Sequence, residues 1–453
     1  MKFCYIFLLS LWASSSFGQS NTSKPNIIFV LTDDHRWDAL GVAGNKIIQT
    51  PNLDQLANKG LYFKNAYVTT AICCVSRASL LTGQYESRHQ INDFKTDLSP
   101  TALQQTYPLL LKHAGYQIGF VGKYGVGLNH PVQEFDYWSC SKKEQPPYIY
   151  LDKQGKKVHN TDSVGHDIEL FLNKFAKHGP FCLSVGFKAP HELDGKPPTY
   201  PTQERFDNLY KAVTIPEPET AQPKYWLSFP DFFRTDQNIA RERWKPLFST
   251  PELYQQTTKS YYRLVTGVDE VIGKMMVQLK KLGIEKNTVI IFMGDNGFYL
   301  GEHGLQGKWY GHEESIRVPL IVYDPRLPAA KNGKQLTTMA LNIDIAPTIL
   351  SLAGVATPTA MQGQNLFDLI NGKLARKDFF YEHTYSKSPK IPNVEGIVTK
   401  DFKYMKYIEH NYEELYNIAN DPKEKNNLAG NQKYAAKLNE LRKEYLAQKK
   451  AVK

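Results

Sequence analysis

Cysteine is scarce in this chain, with five in 453 residues. Cys4 lies in the first residues, which leaves Cys73, Cys74, Cys140 and Cys182 for the body of the protein. So few thiols cannot staple a chain of this length, which excludes a disulfide scaffold and leaves the work to a hydrophobic core. Spacing leaves a Cys140–Cys182 bridge open, whereas the adjacent pair Cys73-Cys74 is poorly placed to bridge to itself. Long apolar runs are missing too. Phe3 to Trp12 is too short to span a bilayer and nothing later is apolar enough, so no stable membrane insertion is expected. No Lys/Arg run is interleaved with aromatics. Of the anionic partners that a net charge of +10 favours, nucleic acid is therefore the weakest; the plainer reading of the charge is solubility alone. Internal repeats and low-complexity tracts are absent, which excludes solenoid and disordered classes.

What is present reads as an exported globular protein. Lys2, the apolar run, and small Ser16 and Gly18 ahead of Gln19 predict a signal peptide over residues 1–18, cleaved on export to the periplasm or medium. The short β-branched run Asn26 to Leu31 predicts a buried parallel strand, and similar runs recur at Gln117 to Val121, Phe181 to Gly186, Thr288 to Met293 and Pro319 to Val322. Helical patterns lie between them, notably over 252–282, where apolar residues recur every three or four positions. Strands alternating with helices predict an α/β fold with a mixed, mostly parallel sheet sandwiched by helices, over residues 19–360. Past Gly and Pro punctuation near 354–363, short runs such as FFYEHTY and GIVTKDFKYMKYI precede a charged helix over 432–448. These predict a smaller α+β subdomain over 361–453.

Two acidic dipeptides carry the first chemical signal. Asp33-Asp34 follows NIIFVLT's strand and Asp295-Asn296 follows TVIIFMG. Were both strands central in one sheet, their ends would meet, and three carboxylates with one amide oxygen make a hard site suited to Ca²⁺ or Mg²⁺. Either pair alone would more often be a helix cap or turn; two in matching contexts favour a site.

The stretch AICCVSRASLLTG, Ala71 to Gly83, then resembles the maturation signature of formylglycine-dependent sulfatases, in which a cysteine is followed by Ser-Arg and a Thr-Gly tail. Cys73, Ser76, Arg77, Thr82 and Gly83 match, and Val75 stands where proline or alanine is usual. Read without the resemblance, Cys73 and Cys74 would be buried structural thiols opening a helix. The opening KPNIIFVLTDDHRWDALG, then MGDNGFYLGEHG, IDIAPTILSLAG and ELYNIANDPKEKNNLA, extend the likeness over nearly the whole chain.

The resemblance implies an alkaline-phosphatase-like fold with an antiparallel sheet in its C-terminal part. It implies a formylglycine nucleophile made from Cys73 by a maturation enzyme, and one calcium held by Asp33, Asp34, Asp295, Asn296 and residue 73. Arg77 would steady the formylglycine oxygens. Lys123 and Lys308 would neutralise sulfate oxygens, and His191 would protonate the leaving group. His303 would line the pocket mouth; His383 with Tyr385 would reach substrate from the small subdomain. A histidine usual two residues after Lys123 is replaced by Gly125, with His130, His35 and His89 as candidate substitutes.

The substrate so implied is a sulfated saccharide, either an algal polymer such as ulvan or carrageenan or a glycosaminoglycan. A phosphodiesterase or phosphonate hydrolase of the same superfamily shares the metal pairs. A secreted polyanion-binding relative without activity is the third reading, motivated by Val75 and Gly125.

Overall fold

The computed structural model describes residues 24–143, 145–152, 154–328, 332–385 and 391–453; the signal peptide read over 1–18 lies outside them. An eight-stranded sheet forms the centre. Its strands are β1 (Asn26–Asp33), β2 (Leu61–Tyr67), β3 (Gln117–Gly122), β4 (Tyr137–Cys140), β5 (Phe181–Pro190), β6 (Thr288–Gly294), β7 (Leu320–Tyr323) and β8 (Lys334–Leu341). They run in the order β8-β2-β7-β6-β1-β5-β3-β4, all parallel except β7, which pairs antiparallel with β2 and β6.

β1 explains why the sheet is covered on both sides. Its residues alternate between two cores: Ile27, Phe29 and Leu31 face one, Ile28 and Val30 the other. The first core is capped by α1 (Cys73–Thr82), whose residues are all buried. The second is capped by α2 (Asn160–Phe175) and α3 (Pro251–Lys281). α3 starts on Thr250, whose hydroxyl accepts from the Leu253 amide at 3.3 Å, with Pro251 in the first turn. This is the parallel-sheet rule realised at the centre of the sheet: β1, β5 and β6 are buried along their whole length because both faces meet helices.

The C-terminal part is an antiparallel sheet of β9 (Asp378–His383), β10 (Val394–Thr399), β11 (Lys403–Tyr407) and β12 (Tyr412–Tyr416). α4 (Ala435–Ala451) packs on it through Tyr445, whose ring lies 5.9 Å from Phe380. The charged helix thus begins three residues later than the pattern over 432–448 predicted, after a single 3₁₀ turn at Gln432–Tyr434. The sheet is fastened to the main body by the Glu382 amide, which donates to the Thr69 carbonyl at 3.0 Å, and by buried Lys403, ion-paired to Glu313 at 2.9 Å and Glu424 at 2.7 Å.

The Cys140–Cys182 bridge left open by spacing does not form; both are thiols. β3 separates them, with Gly122 opposite Cys140 and Ile118 opposite Cys182. Two strand spacings and four residues of offset are roughly 15 Å, well beyond disulfide reach.

Candidate active site

β1 and β6 are neighbours, and their C-terminal ends bring the two acidic dipeptides together as expected. The Asp295 amide donates to the Thr32 carbonyl at 2.8 Å, and the Asp34 amide donates to Asp295 Oδ1 at 3.1 Å. Asp34 takes a left-handed φ of 60°, which aspartate tolerates better than most residues. Tyr261 of α3 fixes this turn: its phenol donates to the Asp34 carbonyl at 2.6 Å and accepts from the Arg36 amide at 3.0 Å.

α1 delivers Cys73 at its first turn, into the same place. One ligand atom each from Asp33, Asp34, Cys73 and His191 lie within 4.8 Å of one another, all buried. Cations ring them. Arg77 Nε donates to Asp295 Oδ2 at 2.9 Å and its Nη1 to the Lys123 carbonyl at 2.7 Å. Lys123 donates to Asp33 Oδ2, and Lys308 Nζ reaches both Asp34 oxygens at 2.7 and 2.8 Å. Asn296 donates to Asp34 Oδ1 at 2.6 Å. Imidazole Nδ1 of His191 donates to the Glu192 carbonyl, which leaves Nε2, 3.5 Å from Asp34 Oδ2, as the nitrogen that can exchange protons.

The electrostatics separate the three carboxylates. Burial raises the Asp33 pKa, but the Lys123, Arg77 and Lys308 cations outweigh it and hold this carboxyl well below the usual range. Asp34 is pushed well up by burial and by the nearby Asp33, Glu192 and Asp295 charges, against the pull of Lys308. Burial and Asp33 raise Asp295 to about 6. Burial and Lys308 push His191 well down, so its imidazole is neutral, and burial with Asp33 pushes the Cys73 thiol well up. An unmodified Cys73 is therefore a poor thiolate nucleophile here. Crowded carboxylates of this kind are relieved by a bound cation. Asp33 Oδ1 and Asn296 Oδ1 are buried oxygens with no hydrogen-bond donor, which fits a hard divalent ion with oxygen ligands.

Other predicted residues fall elsewhere. His303 is buried and stacked on His312, ring centroids 4.5 Å apart, with Tyr225 and Phe229 at its edges. His383 is fully buried on β9 with neither ring nitrogen hydrogen-bonded. Of the three candidates to replace the usual histidine, His35 is held by Thr32 and Ala39, and His89 by Ser79 and Ile91. His130 packs on Tyr124 and Trp138. None is among the clustered ligand atoms.

Several polar groups around the site were not singled out from sequence. Lys123 Nζ also donates to Gln145 Oε1 at 3.3 Å. Lys188 donates to the Pro146 carbonyl at 2.6 Å above the Tyr148 ring, its pKa lowered to about 8 by burial and by Lys123. Glu192 is clasped by Arg243, which also reaches Asp194 at 3.1 Å. Lys188 and Glu192 flank His191 in the KAPHE motif, a signal that was there to be used. Gln145 and Arg243 stand in no motif and are brought in by the fold.

A mostly parallel α/β sheet with a cluster of buried carboxylates at its strand ends, facing a helix-borne cysteine and a ring of cations, is the arrangement of the alkaline-phosphatase-like class. Within that class, the chain belongs to the sulfatase family, whose sequence pattern matches residues 25–355; the pattern described as N-sulphoglucosamine sulphohydrolase, C-terminal, matches 301–451. It is a sulfuric ester hydrolase. It is 31% identical to an N-acetylglucosamine-6-O-sulfatase of Bacteroides thetaiotaomicron over 96% of this chain and 88% of that protein. A solved structure of a protein in complex with its substrate, D-glucosamine-2-N,6-O-disulfate, is 29% identical and superposes with a TM-score of 0.78, covering 95% of this chain and 98% of that one. The phosphonate monoester hydrolase of Agrobacterium radiobacter shares the fold at a TM-score of 0.78 with 21% identity, covering 95% and 96% of the two chains.

Proposed function

We propose that this chain, matured at Cys73 to formylglycine and carrying one calcium ion, removes sulfate from a sulfated saccharide, with 6-O-sulfated glucosamine units the first substrate class. The observation that carries this reading is the meeting of Cys73, Asp33, Asp34 and His191 within 4.8 Å, ringed by Arg77, Lys123 and Lys308. The saccharide class rests on the likeness to the two glucosamine-sulfate proteins above.

Asp33, Asp34, Asp295 and Asn296 would hold the calcium together with an oxygen of residue 73. Hydrated formylglycine at residue 73 would supply two hydroxyls, one to attack sulfur and one whose loss of a proton would expel sulfate and restore the aldehyde, and a bound calcium would lower their pKa. Arg77 is fixed between Asp295 and the Lys123 carbonyl, so its planar cation is aimed before substrate arrives. Lys123 and Lys308 lie on opposite flanks, on Asp33 and Asp34, and would share the sulfate oxygens as charge moves onto them. His191 would pass a proton from Nε2 to the departing alcohol oxygen; the negative sulfate beside it favours the imidazolium that this needs. Sulfate esters carry a single negative charge, for which one metal and two lysines suffice. Export through the signal peptide would place the enzyme where extracellular saccharides arrive.

Two measurements test the reading. Mass spectrometry of the tryptic peptide holding residue 73 should show a mass about 18 Da below the cysteine form, thiol replaced by aldehyde oxygen. Matured protein should then release sulfate from glucosamine 6-sulfate faster than from ulvan or carrageenan fragments, and faster than it cleaves a phosphonate monoester. Unconverted cysteine in protein co-produced with a maturation enzyme would sink the nucleophile; preference for an algal fragment or the phosphonate would sink the substrate class.

A further inference from the structure

We propose that Tyr381, in the C-terminal sheet, is a positioning residue for Lys308, so that the small sheet sets the catalytic geometry. The inference rests on the reading of Lys308 as a sulfate-binding cation. Lys308 sits between two left-handed residues, Gly307 at φ 103° and Trp309 at φ 87°. A tryptophan with positive φ is rare, because its Cβ crowds the backbone, and it persists only where the surroundings hold it. Here the Trp309 ring folds back over Gly307, where a Cβ would sit 2.6 Å from it, so only glycine fits. The Trp309 carbonyl accepts from the Tyr381 phenol at 2.7 Å, and Tyr381 is fully buried.

The same phenol oxygen faces the backbone of Ala71, two residues before Cys73. The next residue of β9 donates from its amide to the Thr69 carbonyl at 3.0 Å. One strand of the C-terminal sheet thus touches both segments that must agree: the one leading into the nucleophile position and the one presenting Lys308. Without the phenol, the buried Trp309 carbonyl loses its donor and the strained turn loses a restraint. Lys308 Nζ, which spans from that turn to Asp34, would shift with it.

Tyr381→Phe deletes only the hydroxyl. In full-length protein with residue 73 converted, it should lower kcat by at least tenfold and weaken binding of inorganic sulfate, read by calorimetry, at least fivefold. In a Lys308→Ala background the same change should alter both by less than twofold. Tyr404→Phe removes a phenol from the same sheet, one bonded to Glu413, and should leave kcat and sulfate binding unchanged. Equal losses from Tyr381→Phe in both backgrounds, or a fall in melting temperature with kcat and sulfate affinity unchanged, would overturn the inference alone. A Lys308→Ala variant with wild-type turnover would overturn the assignment of Lys308 and this inference with it.

Discussion

Gly125 has a φ of 76°, and a Cβ there would lie 2.7 Å from Arg77 Cδ. The histidine usual at this position therefore cannot simply be restored: its first carbon would meet the guanidinium stem that bridges Asp295 and Lys123. Gly125→Ala should keep the fold but displace Arg77, lowering kcat at least tenfold, and Gly125→His should be no better; a faster Gly125→His enzyme would refute this placement of Arg77. Asp295→Ala removes a charged oxygen and the Arg77 partner together, so bound calcium, counted by elemental analysis, should fall below stoichiometry and turnover should drop at least a hundredfold. Full calcium occupancy in the variant would exclude Asp295 as a ligand. At this scale the sequence was most legible where chemistry is packed into short motifs, as with Asp33-Asp34, Cys73 to Arg77, and Asp295-Asn296. It was least legible for histidines. His35, His89 and His130 each serve packing or capping, roles that residue type and spacing cannot tell from a catalytic one.

Strands β1, β3, β5 and β6 were readable because burial on both faces demands continuous apolar runs. β2 was not, since LYFKNAY puts Lys64 and Asn65 at its centre, and β8, KQLTTMAL, is an edge strand with a largely exposed start. Their place follows from pairing, which no local pattern announces. The contact between the main body and β9 carries a testable charge. Buried Glu86 accepts from Thr384 and, at 3.4 Å, from Thr70; burial and nearby Glu382 raise its pKa from 4.5 to about 8. Glu382 is itself raised to about 7, chiefly by burial. A raised carboxyl pKa in the folded state means folding favours the protonated form. Its contribution is complete below pH about 4.5 and is lost as pH climbs through about 8. Glu86→Gln keeps the shape and supplies a permanent neutral donor. The variant should melt a few degrees above wild type at pH 9 and near it at pH 5. A difference independent of pH would show that Glu86 does not titrate in this range.

For the molecule as a whole, the net charge of +10 has two readings that differ in what salt does. If it only keeps the protein soluble, substrate capture is indifferent to ionic strength. If it draws in a polyanionic saccharide, capture weakens as the Debye length shrinks from about 10 Å at 0.1 M toward 3 Å at 1 M. The chemical step is different. Lys123 and Lys308 are buried against Asp33 and Asp34, where mobile ions do not reach, so kcat should hold. Between 0.02 and 0.5 M sodium chloride, KM for a multiply sulfated oligosaccharide should therefore rise at least fivefold while kcat changes less than twofold. A monosulfated sugar, with one charge to steer, should show a smaller rise. Sodium sulfate would confound the measurement by competing at the site, so chloride is the salt to use. Equal salt responses for the two substrates would assign the excess charge to solubility and leave recognition to the buried cations alone.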